Sequence, residues 1–173
     1  MTILAGAPAL AADIAALETR IAALEAGPGD PPTWFVRNTA AQSINNATFT
    51  ALVFNTDDND PDNLHSTSAN TDRITIATAG LYMVMGGGAT AGNVTGTRLA
   101  RITKNGSVVA ASGGGAPPPA ATENGWALTQ WTPVQCSAGD ILRVEYFQSS
   151  GGALNTATTD YTQPRFAGLW IKP

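Results

Sequence analysis

Residues 27–33 read Gly-Pro-Gly-Asp-Pro-Pro-Thr, and the chain changes character across them. Before this stretch, apolar residues recur with a helical period. After it, they come in short runs that alternate with polar residues. Proline lacks an N–H and fixes φ, and glycine favours neither helix nor strand, so a stretch dense in both continues neither element. The chain therefore has to solve a helical problem and a β problem separately. Four segments follow: a small, uncharged, apolar tail at 1–9, a helix at 10–26, a linker at 27–33 and a β region at 34–173.

Leu10, Ile14, Leu17, Ile21 and Leu24 are spaced 4, 3, 4, 3. This places isoleucine at a and leucine at d of a heptad. A single helix this short is marginal in water, so its stripe must be buried. Packing onto the chain's own β region is one solution; the Gly-Pro linker favours the other, a short parallel coiled coil. Ile at a with Leu at d ordinarily favours dimers. The run from Arg20 through Ile21 and Leu24 to Glu25, however, resembles a short trimer signature. Arg20 falls at g and Glu25 at the next e, so a bidentate pair can join neighbouring chains while the arginine stem covers the seam. The expectation is a trimeric coil built by Leu10, Ile14, Leu17, Arg20, Ile21, Leu24 and Glu25.

Beyond residue 33 the strand candidates are 34–37, 48–55, 73–76, 81–85, 98–104, 107–110, 127–132, 141–148 and 165–171. Asn105-Gly106 supplies the positive φ angles of a tight hairpin turn. In 141–148, Leu142, Val144 and Tyr146 share one face, and Ile141, Arg143, Glu145 and Phe147 the other. Many short strands with glycine-rich turns and no intervening helix predict an antiparallel sandwich or barrel.

Charge and cysteine content remove several functions. Nine basic residues are scattered among thirteen acidic ones, for a net charge of −4. Nucleic acid is therefore not an expected partner, because it needs clustered cations. No apolar run reaches membrane-spanning length, so no membrane partner is expected. The N-terminus shows no basic n-region and Pro8 breaks its apolar run, which predicts no secretory signal. One cysteine and one histidine exclude an internal disulfide, a Cys/His zinc site and a His-based catalytic arrangement with a spare partner.

The order of the β motifs resembles the globular head of the C1q and tumour-necrosis-factor superfamily. Phe49-Thr50-Ala51-Leu52-Val53-Phe54-Asn55 looks like the early strand ending in Phe-Asn. Ile74-Thr75-Ile76 with Ala79-Gly80-Leu81-Tyr82 looks like the apolar strand, turn and Gly-x-Tyr strand. Ser137-Ala138-Gly139-Asp140-Ile141-Leu142-Arg143-Val144 looks like the Gly-Asp turn before a core strand, and Phe166-Ala167-Gly168-Leu169-Trp170-Ile171 like the closing strand. Val84 and Gly86 depart from the family's aromatic alternation, and Cys136 from its usual leucine. The resemblance implies an all-β jelly-roll sandwich, C1q/TNF-like, preceded by the coiled-coil helix and assembled as a homotrimer. Tyr82, Tyr146, Phe147 and Trp170 are the aromatics expected at the seam between protomers.

Other residues invite chemistry. Asp58, Asp60 and Asp62 alternate at calcium-like spacing, but Asn63 and Ala69 break the EF-hand pattern, so a solvated loop is expected and no metal or other cofactor. His65 reads as an exposed loop histidine and Cys136 as a small buried hydrophobe. The glycine- and proline-rich stretch 112–121 reads as a mobile surface loop. Glu123, Glu145 and Asp160 are carboxylates of the type glycosidases pair, but nothing in the sequence brings two together.

These readings predict a non-enzymatic, homotrimeric surface protein of a bacteriophage virion, a capsid decoration protein or head fibre assembled in the host cytoplasm. Ile3 and Leu4 of the tail would dock on a capsid or other virion protein. The alternative is an adhesion module, a spike or fibre tip or a bacterial surface adhesin, that binds a host surface glycan or receptor through Trp126, Trp131 or the 112–121 loop.

Overall fold

The computed structural model describes residues 7–25 and 30–173. The chain divides into two compact units, Met1–Pro31 and Pro32–Pro173.

The first unit holds one helix, α1 (Ala7–Glu25). It begins three residues before the expected start. Pro8 does not break it, because the first turn of a helix leaves its N–H groups unpaired anyway. Leu10, Ile14, Leu17 and Ile21 of the heptad stripe are all exposed. The tail residues Ile3 and Leu4 lie outside the described residues, as do the side chains of Leu24 and Glu25.

The second unit is a two-sheet sandwich. Its strands are β1 (Thr33–Arg37), β2 (Ser43–Ile44), β3 (Thr50–Ala51), β4 (Thr56–Asn59), β5 (Ile74–Thr75), β6 (Gly80–Thr90), β7 (Arg98–Lys104), β8 (Ser107–Val108), β9 (Gly114–Ala116), β10 (Gly125–Leu128), β11 (Thr132–Cys136), β12 (Ile141–Gln148), β13 (Leu154–Asn155) and β14 (Arg165–Lys172). The first sheet runs β10-β6-β14-β1-β4, with β11 also paired to β6. The second runs β3-β12-β7-β8, with β5 on β12 and β9 on β7, and β2 with β13 forms a small separate ladder. Every named pairing is antiparallel.

The core lies between the sheets. Trp34, Val36, Tyr82, Val84 and Phe166 enter it from the first sheet, and Ala100, Ile102, Leu142, Val144 and Tyr146 from the second. The Trp34 ring packs edge-on against Phe166 at 5.6 Å and tilted against Tyr82 at 5.7 Å. Strand β12 buries Leu142, Val144 and Tyr146, the face its alternation predicts. Asn105 and Gly106 adopt φ of 52° and 82° at the hairpin between β7 and β8.

Strand β6 is the long spine of the first sheet. Its C-terminal half pairs with β10 and its N-terminal half with β11. Leu128 faces Gly87 and Thr132 faces Val84, so Thr129, Gln130 and Trp131 lie opposite only Met85 and Gly86. This bulge is fastened by Thr129: its N–H donates to Gly86 O at 2.8 Å, and its hydroxyl accepts from the Gly86 N–H at 2.9 Å. Trp131 is thrown outward and is 50% exposed.

Candidate functional site

A sandwich needs only one apolar face per sheet. The first sheet has two. On its outer side, Phe35, Ala167 and Met85 form one row across β1, β14 and β6. Thr33, Leu169, Met83 and Pro133 form the next row. Phe35 and Leu169 are 37% and 40% exposed, and Met83, Met85 and Leu128 are half-buried. A contiguous apolar surface of this kind is a candidate interaction site.

One end of the face is polar. Arg37, Arg165, Gly87 and Leu128 share the row there. A cavity of about 300 Å³ opens beside it, lined by Phe35, Arg37, Asp58, Asp160, Gln163 and Arg165. Arg37 donates through Nε to Asp58 at 2.6 Å, and through a terminal nitrogen to Gln163 Oε1 at 3.1 Å. The hydrogen bond to Asp58 holds the guanidinium pKa above its ordinary value. Arg165 lies 5.6 Å from the centroid of the half-buried Trp126 ring.

The expected seam is corrected. Tyr82 and Tyr146 are buried inside a single chain and present no surface to a partner. Their hydroxyls donate to Thr78 O and Gly125 O, each at 2.6 Å, and burial pushes both phenols up to about 12. Trp170 points to the same side as Tyr82, packs against the core and donates to Ala79 O at 3.2 Å. Phe147 is on the outer side of the other sheet, its ring tilted against Phe49 at 5.1 Å. The four therefore share no surface. The residues that do, Phe35, Met83, Met85, Leu128 and Leu169, were one position away: once Tyr82 is inside, strand alternation puts Leu81, Met83 and Met85 outside.

The acidic stretch is also more ordered than a solvated loop. Thr56–Asn59 is an edge strand on β1. Asp58 is taken by Arg37, and Asp60 accepts the backbone N–H groups of Leu64 and His65. Among the described residues, no three His, Cys, Asp or Glu side chains gather as a metal site. His65 is buried rather than exposed. Cys136 is buried, its thiol pushed up to about 11 by desolvation. Of the stretch 112–121, Gly114–Ala116 forms strand β9, so it is not wholly a loop. Glu145 is paired with Arg101 at 2.6 Å on the second sheet, and Asp160 lines the cavity by the first.

The sequence matches no protein-family model and no curated protein sequence. Solved structures do match. Murine APRIL at pH 5.0 superposes with a TM-score of 0.59 at 11% identity, over 82% of this chain and 100% of that one. Eiger TNF from S. frugiperda superposes with a TM-score of 0.58 at 8% identity, over 82% of this chain and 93% of that one. At such identities the likeness is one of fold. The β unit has the TNF/C1q-like jelly-roll fold.

Proposed function

We propose that the protein acts without catalysis, as a homotrimer whose subunits join through the outer face of the first sheet. The uncovered apolar rows through Phe35, Met83, Met85 and Leu169 carry this reading. The exposed stripe of α1 supports it: Leu10, Ile14, Leu17 and Ile21 need a partner, and a three-stranded coil of the same symmetry gives them one. The light-scattering mass of the full chain should be three times 17.7 kDa. Met83→Asp with Leu169→Asp should reduce it to one chain without loss of β-sheet circular dichroism. A monomeric wild type at all concentrations defeats the reading.

Within it, we propose a place on a bacteriophage virion surface, as capsid decoration protein or head fibre, with residues 1–9 docking on a capsid or other virion protein. The low-charge, Thr- and Asn-rich head suits an exterior surface. Deleting residues 1–9 should abolish particle attachment and leave the trimer intact; attachment that survives the deletion removes the anchor.

A second reading, a glycan-binding adhesion module, is favoured by the exposed ring of Trp131. Binding on a glycan array, lost in Trp131→Ala, is its expected result. An array silent with and without calcium overturns it.

A further inference from the structure

Arg37 and Arg165 face each other directly on β1 and β14. Like charges in register across two strands repel. The chain neutralises only one of them. Arg37 has Asp58; Arg165 has no carboxylate within ion-pair distance among the described residues. One terminal nitrogen of Arg165 donates to Tyr161 O at 3.3 Å, and its Nε–H is buried with no acceptor. A buried donor on a charged group is costly to leave unmade. Arg165 also stands at the rim of the apolar face and lines the cavity that opens beside it.

Carboxylates without a role are scarce. Asp57, Asp58, Asp60, Asp72, Asp140 and Glu145 are each bonded within the chain. Asp160 accepts from Gln163 at 3.3 Å. Among the described residues of the β unit, Asp62 and Glu123 accept no side-chain or backbone hydrogen bond. Glu123 is exposed and precedes β10, the edge strand whose Trp126 and Leu128 continue the apolar face. In a cyclic assembly the interface is heterologous: the edge of one copy meets the face of the next.

We infer that Arg165 is completed by a second copy of this chain. The Glu123 carboxylate of the neighbour takes the terminal N–H groups of Arg165 end-on, beside the Trp126 ring; the Nε–H stays buried within its own chain. The pair fixes the register in which the edge of one copy meets the apolar face of the next, because only one rotation brings edge carboxylate to face guanidinium. This inference rests on the self-association proposed above.

The test is the concentration at which the full-length trimer half-dissociates, for wild type, Arg165→Met, Glu123→Gln, Arg165→Glu and the exchange Arg165→Glu with Glu123→Arg. Arg165→Met keeps most of the stem; Glu123→Gln changes one exposed turn residue and leaves the packed core untouched. Each should raise the half-dissociation concentration tenfold or more. Arg165→Glu should leave monomer, and the exchange should restore the trimer to within a few-fold of wild type. Single variants as stable as wild type, or an exchange that restores nothing, overturn the pair while the trimer stands. A monomeric wild type instead removes the reading beneath it.

Discussion

Nδ1 of His65 lies 2.6 Å from a carboxylate oxygen of Asp57, and the imidazole side chain is completely buried. Nε2 is 3.2 Å from Thr71 O, and the ring meets Phe54 edge-on at 6.0 Å. The one histidine of the chain thus joins β4 to the segment leading into β5. His65→Ala should destabilise the protein by about 3 kcal/mol, from lost packing and stranded polar partners. Asp57→Asn should cost about 1 kcal/mol, since Asp57 is partly solvated. Equilibrium denaturation in urea measures both. A change below about 0.5 kcal/mol in His65→Ala, the range of ordinary surface substitutions, contradicts the clamp.

Arg98 is wholly buried and meets only neutral oxygens: Thr90 Oγ1, and the carbonyls of Asn93, Thr95 and Thr97, at 3.1–3.2 Å. The guanidinium therefore organises the turn between β6 and β7 from inside. Arg98→Met should cost about 3 kcal/mol by stranding those carbonyls. Hydrogen exchange should quicken specifically at residues 91–97, and unchanged protection there would refute the assignment.

At Gly168 a Cβ would overlap the Trp34 ring. Overpacking of this kind costs about 1–3 kcal/mol, more where the ring cannot move. Gly168→Ala should lower the melting temperature sharply. Combined with Trp34→Leu, it should cost less than the two single effects added, because the smaller side chain vacates the space. Strict additivity would show that the contact is not the cause.

Acid stability should depend on Asp72. Burial works to raise its pKa, but hydrogen bonds from Arg143 and Arg73, at 2.6 and 3.2 Å, outweigh it and hold the carboxyl below 3.8. A group depressed on folding contributes stability above its unfolded value and loses it as pH falls through the folded one. Asp140 behaves alike, through the Ser137 N–H and Asn105. Wild type should therefore lose stability as pH drops below 3.8, and Asp72→Asn should show a flatter decline from a lower starting point. Parallel curves would rule the pair out as a contributor.

Much of the β unit was legible. Strands β1, β7, β12 and β14 fall almost where their apolar runs put them, because each alternates buried with less buried residues along most of its length. Strand β6 was cut short at Met85, since Gly86, Gly87 and Gly88 look like a break. In the fold they continue the strand, and Gly86 and Gly88 do so where a Cβ would strike Arg165 O and Pro164. Strand β4 was hidden by its aspartates, which edge pairing and Arg37 accommodate. The apolar outer face is not announced by its aromatics: Tyr82 and Tyr146 point into the core, and Met83 and Met85 occupy the alternate, outward positions. The environments of His65 and Arg98 come from segments far apart in sequence, and no local pattern announces them.

The bulge opposite Met85 and Gly86 has a consequence for polymerisation. A sheet edge with a regular row of unpaired N–H and C=O groups recruits further strands without limit. Here the edge kinks at Thr129–Trp131 and then presents Pro133, which has no N–H to offer. Strand-by-strand growth is interrupted along this edge, whereas packing through side chains on the flat of the sheet stays open. The apolar outer face of the sheet is thereby open to side-chain packing while this edge is closed to strand addition.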